Sequence, residues 1–237
     1  MLPNFIYFEN NFCFAAALLY ITNLYRKFGD IGHTVSLQYG SGNFHIADWA
    51  DLVTVHPLPG PGIIDGLTST LETRTSQLKD RACFLVAEMS SKDTLTTGPY
   101  QSGKYTCTIY CPFSSEHNSY DGFSFAAAMK LAENRADFVA GVVSQSATGI
   151  TSLGLVQLTP GVRAPLSLSQ NGNGGSVGTG SDGLGQQYNT PHHVVLERGA
   201  DVAVVGRGIS EAENPAEAAK MYRDSLWKAY EQRISAV

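Results

Sequence analysis

The run Arg26-Lys27-Phe28-Gly29-Asp30-Ile31-Gly32-His33-Thr34 sets an ammonium and a carboxylate three residues apart, where an apolar stretch gives way to glycines. If Asn-Phe-Ile-Tyr-Phe-Glu at 4–9 is a buried strand, the motif leaves its carboxyl end, and Lys27 and Asp30 project towards one pocket rim. Such ends carry the active sites of parallel α/β barrels. A lysine held beside carboxylates is a proton donor to carbon or oxygen in a pocket poor in water. By itself, a Lys-x-x-Asp spacing reads as a surface ion pair. A second group, Gly206-Arg207-Gly208, directly follows the apolar run 201–205, so backbone amides and a guanidinium meet an anion at a strand's carboxyl end. His56 ends a strand and reads as a hydrogen-bonded rim residue with no catalytic role; His192 and His193 open a helix and read as solvated. Trp49 and Trp227 read as packing, and no trio of His and carboxylates has metal-ligand spacing.

The first motif is very similar to the Asp-Arg-Lys-Phe-x-Asp-Ile-Gly signature of the orotidine 5'-monophosphate decarboxylase family. The likeness continues, in that family's order, through Ala47-Asp48-Trp49-Ala50-Asp51, Ala87-Glu88-Met89-Ser90-Ser91, Leu158-Thr159-Pro160-Gly161-Val162, Leu184-Gly185-Gln186-Gln187-Tyr188 and Val205-Gly206-Arg207-Gly208. Several ordered blocks are far more specific than one motif. The resemblance implies a (β/α)8 TIM barrel that decarboxylates orotidine 5'-monophosphate to UMP in pyrimidine biosynthesis, a carboxy-lyase with neither metal nor organic cofactor. It makes Lys27 the donor that stabilises and protonates the C6 centre. Asp30 and Thr34 are implied to reach across to the neighbouring subunit's site, hence a homodimer. It further implies that Ser90 contacts the base, that Pro160 lines the substrate site, and that Gln186, Tyr188, Gly206 and Arg207 grip the phosphate. The family's first signature aspartate falls on Tyr25, whose neutral phenol cannot hold a lysine as a carboxylate does.

The elements that must position these groups are expected to be strands at 4–9, 52–55, 83–88, 138–143, 155–158 and 201–205. Helices are expected over 31–39, 62–77, 126–134, 190–198 and 215–233. The last is the clearest, with Asn214 as cap, Pro215 in the first turn and Ala218, Met221, Tyr222, Leu226 and Tyr230 at helical spacing. Six strands are two fewer than an eight-stranded barrel holds, so the barrel is expected to be incomplete, its first two βα units lying before Met1, and its activity impaired. Residues 10–25 and 101–125 look inserted, as translated intron would: these 41 residues hold 10 of the 22 Phe and Tyr and three of the four Cys. For 101–125 a true surface insertion reads equally well. The Gly- and Ser-rich stretch 164–183 reads as a flexible loop whose flanks order on ligand binding.

Composition fits one globular unit: 237 residues, 43% hydrophobic, net charge −5, with no Lys/Arg cluster to suit nucleic acid. The apolar part of 10–25 is too short to span a bilayer comfortably. Cysteine spacing suggests neither a zinc site nor a disulfide framework, so a reducing cytoplasm is the simplest location. Two other functions stay open beside the decarboxylase. One is a magnesium-dependent sugar-phosphate lyase of the same barrel superfamily, and the other a non-catalytic phosphate-binding remnant.

Overall fold

Short apolar runs alternate with amphipathic ones along this chain, and in that order they form parallel strands joined by helices. The computed structural model describes residues 4–9, 12–15, 24–73, 81–96, 123–146, 154–164 and 185–235. Its strands are β1 (Asn4–Glu9), β2 (Phe12–Ala15), β3 (Leu24–Phe28), β4 (Leu52–Val55), β5 (Ala82–Val86), β6 (Val139–Val143), β7 (Val156–Pro160) and β8 (Val202–Val205). The helices are α1 (Gly32–Gly40), α2 (Ile46–Trp49), α3 (Gly62–Glu72), α4 (Phe123–Asn134), α5 (Pro191–Leu196), α6 (Arg207–Ser210) and α7 (Pro215–Ser235).

The strands form one sheet in the order β2-β1-β8-β7-β6-β5-β4-β3. Every neighbouring pair is parallel except β1 with β2. Parallel strands covered on both faces must be apolar on both, and β4 is buried along its whole length. One face packs Leu52, Phe84, Leu158 and Val202 together as the inner layer. The other carries Val53, Val55, Cys83 and Leu85 against α1, α3 and α4, and Ala203 and Val205 against α5 and α7. The architecture is α/β, of the (β/α)8 TIM-barrel class. Among the described residues its ladder ends at β2 and β3.

One expectation needs correcting. The run 4–9 is a strand, but it lies beside β8, so it does not lead into the Lys27 motif. Lys27 sits on β3, a strand that begins inside the stretch taken as inserted, and residues 12–15 of that stretch form a hairpin with β1. Pairing decides this: the free backbone edges of β8 and β4 each take a strand, and which run fills which edge is not encoded locally. Most of 101–125 lies outside the described residues, with only its end in α4, as does 164–183 beyond Ala164.

Helix limits follow their caps. Asn214 Oδ1 accepts from Glu217 N at 3.3 Å to open α7, and Thr190 Oγ1 accepts from His193 N at 3.2 Å to open α5. Helices α1 and α3 meet backbone to backbone, because a Cβ on Gly66 would lie 2.2 Å from Gly32 O. Gly66→Ala is therefore expected to destabilise the protein by about 1–3 kcal/mol in urea unfolding, through overpacking. Helix propensity alone predicts a gain of up to ~1 kcal/mol, so the sign of the change decides between the two effects.

Candidate active site

Because β3 to β8 all run the same way, their carboxyl ends share one edge of the sheet, and the groups singled out by sequence fall there. Lys27 is exposed near the end of β3, paired in register with Thr54, which pairs in turn with the inner-layer Phe84. Its neighbour Phe28 is buried in the opposite layer, edge-on to Tyr39 at 5.8 Å. Strand alternation thus turns Lys27 to the barrel's inner side.

Asp30 is exposed and does not pair with Lys27 among the described residues; its Oδ1 accepts from Ile31 N at 2.7 Å. A bare Lys-x-x-Asp ion pair is thus not what the motif forms. Thr34 is half-buried on α1.

His56 follows β4, and its backbone N donates to Phe28 O at 2.8 Å, which holds it next to the motif. Burial, and then the charge of Lys27, push its pKa below the ordinary histidine value. The folded protein therefore prefers His56 neutral, while the unfolded chain takes up a proton near the ordinary value. Stability is full above about pH 6.5 and falls as pH drops from there through the folded pKa. Urea midpoints between about pH 7 and 5 are expected to fall more for the wild type than for His56→Gln.

Next along the edge, Glu88 is a buried carboxylate just beyond β5. Its Oε2 accepts from Ser144 Oγ at 2.7 Å, Gln145 N at 2.8 Å and Ser146 N at 2.7 Å, and its Oε1 accepts from Ser146 Oγ at 2.9 Å. Gln145, held this way, donates from Nε2 to Pro160 O at 2.9 Å, and its Oε1 accepts from Asn189 Nδ2 at 3.2 Å. One buried acid thereby fixes the turn after β6 and, through it, the end of β7 and the segment carrying Tyr188.

That segment is laced to its neighbours by main-chain bonds. Gln187 N donates to Ser90 O at 2.9 Å, Lys92 N to Gly185 O at 2.7 Å, and Asn189 N to Gly161 O at 2.8 Å. Gly161 has φ +80°, and a Cβ there would stand 2.6 Å from Gln187 O, so only glycine lets the two segments close. Ser90, Pro160, Gln186 and Tyr188 are brought together as a result. Gln186 Nε2 donates to Gln187 O at 2.8 Å. Beyond β8, Gly206 opens α6, and the Arg207 guanidinium carbon stands 5.7 Å from the centre of the Tyr188 ring. A guanidinium stacked on a ring, beside a phenol, is suited to a phosphate.

Sequence reasoning gave no role to Glu88, Gln145 or Arg163. Glu88 sits in a matched block, but a lone acid after an apolar run reads as a surface residue; its donors come from 56 to 58 positions further on. His193 is not simply solvated either, since its Nε2 accepts from Arg198 Nε at 3.1 Å. Among the described residues no helix is long and apolar enough to cross a membrane.

The fold and site define a parallel βα barrel with a lysine at one strand end and an arginine–tyrosine pair further along the same edge. Residues 26–222 match the model of the orotidine 5'-phosphate decarboxylase / HUMPS family, and the chain belongs to that family. It is 40% identical over 210 residues to uridine 5'-monophosphate synthase of Bos taurus, covering 89% of this chain and 35% of that one. It is 35% identical over 211 residues to orotidine 5'-phosphate decarboxylase of Schizosaccharomyces pombe, covering 89% of this chain and 64% of the relative. The chain thus spans between about a third and two thirds of the length of these relatives. In fold, it is similar to an uncharacterized conserved protein from Geobacillus kaustophilus, with TM-score 0.51, 18% identity and coverage of 86% of this chain and 75% of that one.

Proposed function

We propose that this chain binds orotidine 5'-monophosphate and catalyses its decarboxylation to UMP. The observation that carries the reading is the common edge: Lys27 at the end of β3 and Tyr188 with Arg207 beyond β7 and β8 lie on one rim of a parallel sheet. In the reaction the bond from C6 to the carboxylate breaks, carbon dioxide leaves, and the electron pair stays on C6. The Lys27 ammonium stabilises that pair and gives it a proton. Charges fixed before the reaction begins need no reorganisation at the barrier. Binding energy from the phosphate, spent through Tyr188, Gln186, Gly206 and Arg207, aligns the ring over Lys27, with Ser90 and Pro160 at the base.

A homodimer belongs to the same proposal. Asp30 is exposed and unpaired with Lys27, and the adjoining Ile31 is 64% exposed. That rim is thus open to a second copy, to whose substrate carboxylate Asp30 and Thr34 would be presented. Tyr25 in place of an aspartate leaves the charge array one carboxylate short, so the rate is expected to be reduced. A cytoplasmic site of action fits the free, buried thiol of Cys83.

The test is carbon dioxide release from orotidine 5'-monophosphate by the full chain, with and without a magnesium chelator. Release that survives chelation supports the reading. Release that requires magnesium favours the sugar-phosphate lyase class, and UMP binding without any release favours a phosphate-binding remnant.

A further inference from the structure

Two arginines, not one, stand over Tyr188. Besides Arg207, the guanidinium carbon of Arg163 lies 5.1 Å from the ring centre. Arg163 lies one residue past the block Leu158-Thr159-Pro160-Gly161-Val162 that carries the resemblance. Its place is set by main chain: Arg163 N donates to Asn189 O at 2.8 Å, and Asn189 N to Gly161 O at 2.8 Å, zipping the turn after β7 to the Tyr188 segment. The side chain is half-buried. Among the described residues its guanidinium has no ion pair and no side-chain hydrogen bond.

Two like charges beside one ring repel each other, and stacking on the ring offsets only part of that cost. The Tyr188 hydroxyl, meanwhile, is buried and has no hydrogen-bond partner among the described residues. Buried donors are ordinarily satisfied, so an unspent one beside two cations points to an anionic acceptor. A phosphate monoester is a dianion near neutral pH: one guanidinium neutralises half of it, two neutralise it all, and the phenol supplies a further donor.

We propose that Arg163 is a second phosphate-binding arginine, acting with Arg207 and the Tyr188 hydroxyl to select the dianionic monoester over the bare nucleoside. The proposal rests on the nucleotide reading given above for the identity of the ligand. The experiment titrates the full-length protein with UMP, uridine and inorganic phosphate, comparing wild type with Arg163→Gln, Arg163→Lys and Arg207→Gln. Arg163→Gln is expected to weaken UMP and phosphate by about tenfold or more, with a shallower dependence on ionic strength. Uridine affinity should stay unchanged, and Arg163→Lys should regain part of the loss. UMP affinity of Arg163→Gln within about twofold of wild type overturns the proposal, as does an equal loss of UMP and uridine, which is the mark of a structural role. If Arg207→Gln loses UMP while Arg163→Gln does not, only the second arginine falls. If the wild type binds UMP no better than uridine, or not at all, the phosphate reading of the whole site falls with it.

Discussion

Replacing Lys27 by alanine is expected to slow decarboxylation by on the order of 10² to 10⁴ while leaving UMP affinity nearly unchanged. The asymmetry follows from the layout of the rim. In the proposed mechanism Lys27 acts where charge develops at C6, whereas the nucleotide is held at the ends of β7 and β8, where Arg207 stands over the Tyr188 ring. An interaction made chiefly in the transition state lowers kcat and kcat/KM together when it is removed. His56, the titratable side chain held against the motif, is a poor substitute, because burial, which persists in the variant, holds its pKa below the ordinary histidine value. In the variant His56 loses the second influence, the charge of Lys27, so its titration, followed by proton NMR, should move back towards the ordinary histidine range while staying below it, burial being the larger cause. A variant retaining its rate to within about tenfold would remove Lys27 from the chemistry. An unmoved His56 would separate the two residues.

The second large effect is on stability. Glu88→Ala is expected to cost about 3 kcal/mol in urea unfolding, because it strips the acceptor from four donors, two of them on the buried Ser144 and Gln145. Ser144 Oγ has a second acceptor in Ser146 O at 3.3 Å, and Ser146 Oγ is free to rotate, but the amide of Gln145 has nowhere else to turn. Glu88→Gln should be milder, roughly 1 kcal/mol: with the amide oxygen at the Oε2 position three bonds survive, and the Ser146 hydroxyl can reverse to accept from the amide nitrogen. The milder variant also has a functional readout. Gln145 ties the turn to Pro160 and Asn189, so loosening it should raise KM for the nucleotide more than it lowers kcat. Equal stability of the Ala variant and the wild type would show that the network is replaced by solvent.

Glu88 also shows where reading the chain stops being informative. A carboxylate's role depends on what faces it, and here the donors lie just beyond the next strand, β6, after an intervening helix. Arg163 is a similar case: nothing local distinguishes it from a surface arginine until the 161–163 and 187–189 segments pair. The run 4–9 is instructive in the other direction. Its composition specifies a strand correctly, yet the edge it joins depends on which backbone is free to pair.

What the amino-acid order determined by itself was anything governed by spacing along one element. The helix with its Asn214 cap, expected over 215–233 and running on to Ser235, the apolar strands, and the ordered blocks lying within the family match are all local or ordered features. Tertiary structure alone decided that β3, and not β1, presents Lys27, and that a second guanidinium stands over Tyr188. The physical reason is that strand pairing and buried polar contacts are formed between segments far apart in the chain. Their energies depend on which partners meet, and that is settled only when the sheet assembles.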